Sequence, residues 1–231
     1  MIQISNLSKK YGETVVFSDL NYTFENACIY GLVGRNGAGK TTLLNILSNY
    51  DKNYTGVISI DRKKMNKVDY LDMPVAYAMD QPSFFNELTI YENLLLIASS
   101  RKIKKQEAFD KIERILDGLG LKKYENYSPL ELSKGTMQRL NNACAMIQEE
   151  KITIFDEPFS GLDPVQMKLL ENVIVEFRKK EKGIYIISSH DIECLQNVCD
   201  KCLLLHNGQI REINMEEVDR EEIAKILSEG E

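Results

Sequence analysis

GLVGRNGAGKTTLL, residues Gly31 to Leu44, is the stretch on which the reading of this chain turns. An apolar run leads into a glycine loop and then a helix start, so it predicts a strand, a loop and a helix in succession. Gly34, four intervening residues (Arg35, Asn36, Gly37, Ala38), then Gly39, Lys40 and Thr41 match the P-loop pattern. In that pattern the glycines let consecutive backbone N–H groups turn inward around a phosphate chain. A helix opening near Gly39 adds the positive end of its dipole. Lys40 then reaches the β and γ phosphates as a point charge, and the Thr41 hydroxyl takes one position on a magnesium ion that keeps most of its water. Thr42 completes a threonine pair. Tight packing alone gives no reason for a lysine and two threonines at this point.

Bulk properties narrow the class. A chain of 231 residues suits one large domain, or a domain with a sub-domain, and buries a substantial core. With 43% hydrophobic and 28% charged residues the composition is that of an ordinary globular protein. No apolar run approaches the roughly 20 residues of a membrane-spanning helix. The opening MIQISNLSKK lacks a secretory or lipidation pattern, and five cysteines, an odd count, suit a reducing compartment. The expectation is a soluble, cytoplasmic chain. A net charge of -6 argues against a nucleic-acid partner held by phosphate neutralisation. The basic runs Arg62 to Lys64 and Arg101 to Lys105 read as solvated faces.

Before the P-loop, Ile2 to Ile4, Thr14 to Phe17, Asn21 to Phe24 and Ala27 to Val33 read as strands, the first three suggesting an antiparallel sheet beside the nucleotide site. Asn49 to Asp72 reads as a polar, turn-rich stretch, followed by a strand at Val75 to Met79. Leu88 to Ala98 and Glu107 to Leu119 show helical spacing, with Ile112, Ile115, Leu116 and Leu119 on one face. This insertion, roughly residues 82–150, looks like a helical sub-domain. From Leu132 onward the order is helix, strand Ile152 to Phe155, helix Pro164 to Lys180, strand Ile184 to Ile187, helix, and strand Cys202 to Leu205. Such alternation signals a largely parallel sheet covered by helices, an α/β fold. A charged helix, Met215 to Leu227, is expected to close the chain.

The strand Ile152 to Phe155 ends in Asp156 and Glu157. At the carboxyl end of a parallel strand beside a P-loop, one acid holds magnesium through water and the other orients or deprotonates an attacking water. Neighbouring residues in an extended chain point to opposite sides, which divides the roles. His190, one of two histidines, follows the next strand and the pair Ser188-Ser189. It is a candidate donor to the γ phosphate, or a solvated loop residue. Ser189 or Asp191 is expected to cap the helix beginning near Ile192. Asn66 to Asp69 and Asp117 to Gly120 spell the NKxD and DxxG motifs of GTPases, but in reversed order and wrong surroundings. Cys194, Cys199, Cys202 and His206 fit zinc spacing poorly.

With P-loop, acidic strand end and histidine in this order, the chain resembles the ATP-binding subunit of an ABC transporter over nearly its whole length. The resemblance implies an ABC ATPase fold, with ATP and magnesium as ligands and ATP hydrolysis as the activity. Leu132-Ser133-Lys134-Gly135-Thr136, followed by Met137-Gln138-Arg139-Leu140, is similar to the family signature LSGGQ and its extension. Lys134 replaces a glycine and Thr136 the glutamine, while Ser133 and Gly135, which in the family touch the γ phosphate across a dimer, are kept. Such variants are familiar in exporter-type members. By the same resemblance Gln81 is the glutamine that senses magnesium and water, Phe159 to Asp163 is the loop crossing between subunits, and Tyr11 stacks on adenine with Val16 beside it. Glu157, His190, Gln81 and Lys40 then carry the chemistry, and Thr41, Gln81 and Asp156 attend the metal.

A glycine beside a serine at a helix N-terminus is a second anion-binding end, and in one chain it has no phosphate of its own. Two chains arranged head to tail, identical or paralogous, would supply it. The implied protein is the ATPase subunit of an exporter of peptides, antibiotics or bacteriocins, working with a separate transmembrane permease at the inner face of the membrane. Phe84, Phe85 and Tyr91 would line a groove for that permease, or belong to the sub-domain core. The alternative is a soluble ABC ATPase driving an assembly such as iron–sulfur cluster building. A P-loop kinase would leave Leu132 to Leu140 unexplained.

Overall fold

Runs such as Cys28–Val33, Ile152–Phe155 and Ile184–Ser189 have no polar face to turn to water, so as strands they need cover on both sides. In the computed structural model, which describes residues 1–68, 72–190 and 192–214, every residue of these three strands is buried. Among the described residues the larger sheet has the order β10 (Gln209–Ile213), β9 (Lys201–His206), β3 (Cys28–Val33), β8 (Ile184–Ser189), β7 (Ile152–Phe155), β6 (Val75–Ala78). Its strands are parallel except for β10, which pairs antiparallel with β9.

Alternation along the strands divides the core in two. Cys28, Tyr30, Leu32, Ile152, Ile154, Ile184 and Ile186 face one cluster, shared with Leu43, Leu44, Ile46 and Leu47 of α1 (Lys40–Leu47). Onto this side packs a second sheet, β2 (Thr14–Phe24), β1 (Ile2–Tyr11), β4 (Thr55–Ile60), β5 (Lys63–Lys64), through Ile2, Ile4, Phe17, Phe24 and Ile58. Ile29, Val33, Phe155, Tyr185 and Ile187 face the other cluster, covered by α2 (Ile90–Ser100), α3 (Lys105–Gly118), α4 (Lys134–Met146), α5 (Pro164–Glu181) and α6 (Glu193–Gln196). The α3 face read from spacing is buried at Ile112, Ile115 and Leu116, and Leu119 just beyond it is buried too. No helix among the described residues is long and apolar enough to cross a membrane.

Several expectations need correction. The stretch Asn49 to Asp72 contains β4, whose inward residues Ile58 and Ile60 pair with Ile4 and Ile2 of β1. The three apolar residues of β4, Val57, Ile58 and Ile60, do not alternate cleanly, and only the waiting strand selects the inward pair and leaves Val57 exposed. Thr14 to Phe17 and Asn21 to Phe24 are halves of one strand, β2, bent where Asp19 takes φ 51. Strand β10 was not anticipated, although Asn207-Gly208, with φ 48 and 71, is the turn that an Asn-Gly pair favours. Ile192 stands at the N-cap of α6 without a side-chain bond, so Ser189 ends β8 instead of capping; Asp191 lies outside the described residues. So does the expected helix Met215 to Leu227.

Ile154 is fully buried on β7, between β8 and β6 of the parallel sheet. Ile154→Ala is expected to lower unfolding free energy by about 2–5 kcal/mol, read by urea denaturation.

Candidate active site

Strands β3, β8 and β7 are neighbours, so the loops leaving their carboxyl ends meet over one cavity of about 550 Å³. Gly39 stands at the N-cap of α1 with φ 100, and a Cβ there would lie 2.7 Å from Val16 Cγ1, so the loop needs glycine for both its backbone and its room. Arg35, Asn36, Gly37, Gly39, Lys40, Thr41 and Thr42 line the cavity. Gly34 and Ala38 support it from behind, a Cβ at Gly34 meeting the Leu205 carbonyl at 2.8 Å and Ala38 Cβ at 3.3 Å.

Lys40 is only 7% exposed. Its ammonium donates to the carbonyls of Gly34 at 2.7 Å and Arg35 at 3.2 Å, and lies 3.8 Å from Glu157 Oε1. The lysine is therefore held across its own loop. Burial lowers its pKa below the ordinary lysine value, against the opposing pull of the Glu157 and Asp156 carboxylates.

The two acids part company, though not by strand alternation. Strand β7 ends at Phe155, and Glu157 takes a left-handed backbone, φ 49. Asp156 stays 1% exposed, its Oδ1 accepting from Ser188 Oγ at 2.5 Å and its Oδ2 lying 3.4 Å from the Tyr77 hydroxyl. Glu157 turns into the cavity, where Oε2 is 3.0 Å from His190 Nδ1. With the carboxylate ionised this bond needs the imidazole proton on Nδ1, which leaves Nε2 for another partner.

The antiparallel sheet supplies Tyr11, Thr14 and Val16 as a further wall. Asp80, not Gln81, lines the cavity; Gln81 follows it as an exposed residue beyond the end of β6, where no strand register points it inward. Ser160 reaches the cavity, while Asp163 caps α5, accepting from Gln166 N at 2.8 Å. Ser133 and Gly135 lie outside this wall. Ser133 is the N-cap of α4 and accepts from Thr136 N at 3.2 Å. A Cβ at Gly135 would lie 2.8 Å from the Gly161 carbonyl, so this glycine lets the start of α4 sit against the loop before α5.

Thr41, Asp80 and Glu157 line the cavity beside the phosphate-binding loop and Asp156 lies buried behind it; hard oxygens of this kind suit magnesium, although no group of three or more acids, histidines or cysteines among the described residues is placed to hold an ion. Sequence reasoning did not single out Asp80, Ser160, Thr14 or Tyr77 for the site. Tyr77 carries no motif signal; Asp80 stood one residue from the glutamine that drew attention.

The profile of the ABC transporter family matches residues 17–160. An uncharacterized ABC transporter ATP-binding protein of Methanocaldococcus jannaschii is 32% identical over 90% of this chain and 75% of its own length. A tungstate uptake ATP-binding protein of Peptoclostridium acidaminophilum is 30% identical over 91% of this chain and 97% of its own. The bacitracin transport ATP-binding protein of Enterococcus faecalis is 30% identical over 95% and 71%. A solved structure of the ATP-binding subunit of an ABC transporter superposes with a TM-score of 0.85 at 27% identity, covering 100% of this chain and 95% of that one. A dimeric bacterial ABC transporter cassette, 23% identical with a TM-score of 0.82, covers 93% of this chain and 98% of that one and shares the fold.

Triphosphate binding needs the charged form of Lys40, and burial in the free protein favours the neutral form. ATP affinity is therefore expected to be full at neutral pH and to fall as pH rises through a value below that of free lysine. Calorimetry between about pH 7 and 10 in buffers of different ionisation enthalpy checks this, with proton uptake on binding growing toward the alkaline end.

Proposed function

We propose a role for this chain from one premise: it belongs to the ABC transporter family, whose profile matches residues 17–160, as an ATP-binding and ATP-hydrolysing cassette. In the proposed role it drives an exporter of peptide, antibiotic or bacteriocin-type substrates, from the inner face of the membrane and alongside a separate permease chain. The observation that carries the catalytic reading is the meeting of Lys40, Glu157 and His190 at one cavity mouth, 3.8 Å and 3.0 Å apart in turn.

Lys40 exchanges the Gly34 and Arg35 carbonyls for β and γ phosphate oxygens when ATP enters. That exchange frees Glu157 to accept a proton from the attacking water. His190, oriented by Glu157, offers Nε2 toward the γ phosphate, and the P-loop N–H groups from Gly34 to Thr42 hold the phosphate chain. Tyr11, with Val16, takes the base. Magnesium, held by Thr41 with Asp156 and, from the segment after β6, Asp80 through water, would neutralise charge on the β and γ oxygens when bound. Residues 82–150 form the helical sub-domain carrying Ser133 and Gly135. Because these two lie outside the chain's own cavity wall, a second cassette, identical or paralogous, arranged head to tail gives them a phosphate.

Export is read from the signature variants Lys134 and Thr136; the relatives include a bacitracin transport protein and a tungstate uptake protein at the same 30% identity. Phe85, 59% exposed and held by Asn93 through its backbone N–H and carbonyl at 3.0 Å each, belongs to the permease-facing surface. Phe84 and Tyr91 pack against the helical core.

Glu157→Gln is expected to keep ATP binding, lower turnover by about 10²- to 10⁴-fold and accumulate dimers, read by equilibrium binding, phosphate release and light scattering. Wild-type turnover in this variant would remove Glu157 as the base. Isolation of the tagged chain from its native cells in mild detergent is expected to recover a polytopic membrane protein in near one-to-one ratio. Soluble partners alone would overturn the transport role.

A further inference from the structure

Tyr11 is held by two side chains that the mechanism above leaves unused. The chain turns at Gly12 between β1 and β2, which leaves Tyr11 at a strand end, 52% exposed and lining the nucleotide cavity. An exposed tyrosine at such a place would swing freely about its two side-chain torsions, and a base stacking on it would have to immobilise it. This one is immobilised beforehand. Lys9, two residues earlier on the same strand and so on the same face, places Nζ 4.4 Å from the centroid of the Tyr11 ring.

Lys9 is itself only 4% exposed. Its ammonium pairs with Asp51 Oδ2 at 2.7 Å and donates to the Asn53 carbonyl at 2.7 Å. Asp51 closes the triangle, since the same Oδ2 accepts from the Tyr11 hydroxyl at 3.0 Å while Oδ1 accepts from the Asn53 N–H at 2.9 Å. Partial burial works to raise the Asp51 carboxyl, but the hydrogen bonds from Lys9, Asn53 and Tyr11 outweigh it and hold it below the usual range, so it is ionised at neutral pH. Asp51 also lies in the turn that follows α1, the helix that opens at the P-loop: its N–H, like that of Tyr50, donates to the Asn45 carbonyl. The ring is thereby tied to the helix that binds phosphate.

We propose that Lys9 and Asp51 are positioning residues for the nucleotide base: they fix Tyr11 as a platform with one face taken by an ammonium and the other left for a purine. The inference rests on the reading of Tyr11 as the base-stacking residue. A cation behind the ring draws π density away from the open face, which reduces repulsion with the π cloud of a stacked purine. The fixed hydroxyl sets the tilt of the ring, and the base then meets a surface already in place.

Lys9→Met, Asp51→Asn and Tyr11→Ala are compared in the full chain by equilibrium binding of MgATP and of tripolyphosphate. Lys9→Met and Asp51→Asn are expected to weaken MgATP about three- to tenfold and leave tripolyphosphate, which has no base, unchanged. Lys9→Arg, which keeps the cation, retains most of the affinity. Lys9→Met leaves a partly buried carboxylate without its main partner, so the double variant Lys9→Met/Asp51→Asn, which removes both charges, provides the same comparison if the single one does not fold. Wild-type MgATP affinity in the folded variants, together with weakened binding in Tyr11→Ala, overturns the proposal and leaves Tyr11 as the platform. Unchanged affinity in Tyr11→Ala overturns the platform reading and the proposal with it. Equal weakening of MgATP and tripolyphosphate assigns the pair to the fold at large and overturns it as well.

Discussion

One hydroxyl holds the ends of two neighbouring strands in working order. Ser188 Oγ, fully buried at the end of β8, donates to Asp156 Oδ1 at 2.5 Å and accepts from the Glu157 N–H at 2.9 Å. A carboxylate as deeply buried as Asp156 costs several kcal/mol unless hydrogen bonds and charge compensate it, and here the nearest compensation comes from this serine. The same contact braces the left-handed backbone of Glu157, which turns that residue toward Lys40. His190 lies two residues beyond Ser188, so the strand that supplies the brace also delivers the imidazole.

The brace works from the sheet side, and α4 works from the other. Gln138, Asn141 and Asn142 lie on one face of α4 by their three- and four-residue spacing. Gln138 Nε2 donates to the Glu157 carbonyl at 3.3 Å, Asn142 Nδ2 to the Pro158 carbonyl at 3.2 Å and Asn141 Nδ2 to the Met79 carbonyl at 2.7 Å. The helix that begins at Ser133 thus grips the loops after β6 and β7 by their backbones. These three amides tie α4 to the backbone at Glu157 and Pro158 and to the segment leading into Asp80. Arg139 secures the helix within its own layer, its Nη1 donating to the Leu119 carbonyl at 2.8 Å and the Gly120 carbonyl at 3.1 Å.

Much of this was legible residue by residue. The parallel strands β3, β7 and β8 could be read because a strand buried on both faces is a continuous apolar run. The P-loop could be read because its geometry admits few residue types, as Gly39 illustrates. Less was legible where structure depends on a partner strand, as in β4, or on a bend, as in β2. Gln81 drew attention by its place after β6, yet Asp80 is the residue that faces the cavity, because chain direction past a strand end follows loop conformation and not alternation. Asp156 and Glu157 were assigned separate roles on the ground of strand alternation. Their side chains do separate, but through the φ of Glu157, which no pattern encodes.

By itself the sequence determined the class of fold, the phosphate loop and the short list of charged residues near it. Each of these follows from local chemistry: apolar runs, glycines at forced turns, and acids or a histidine at strand ends. Tertiary structure alone decided that Ser188 and Tyr77 flank Asp156, that Lys40 rests on its own loop and that Lys9 and Asp51 hold Tyr11. The bonds of Ser188 and Tyr77 to Asp156 and of Tyr11 to Asp51 join residues far apart in the chain, and their distances are set by how the strands and α1 are placed; the Lys40 contacts are local, and it is the fold that buries them.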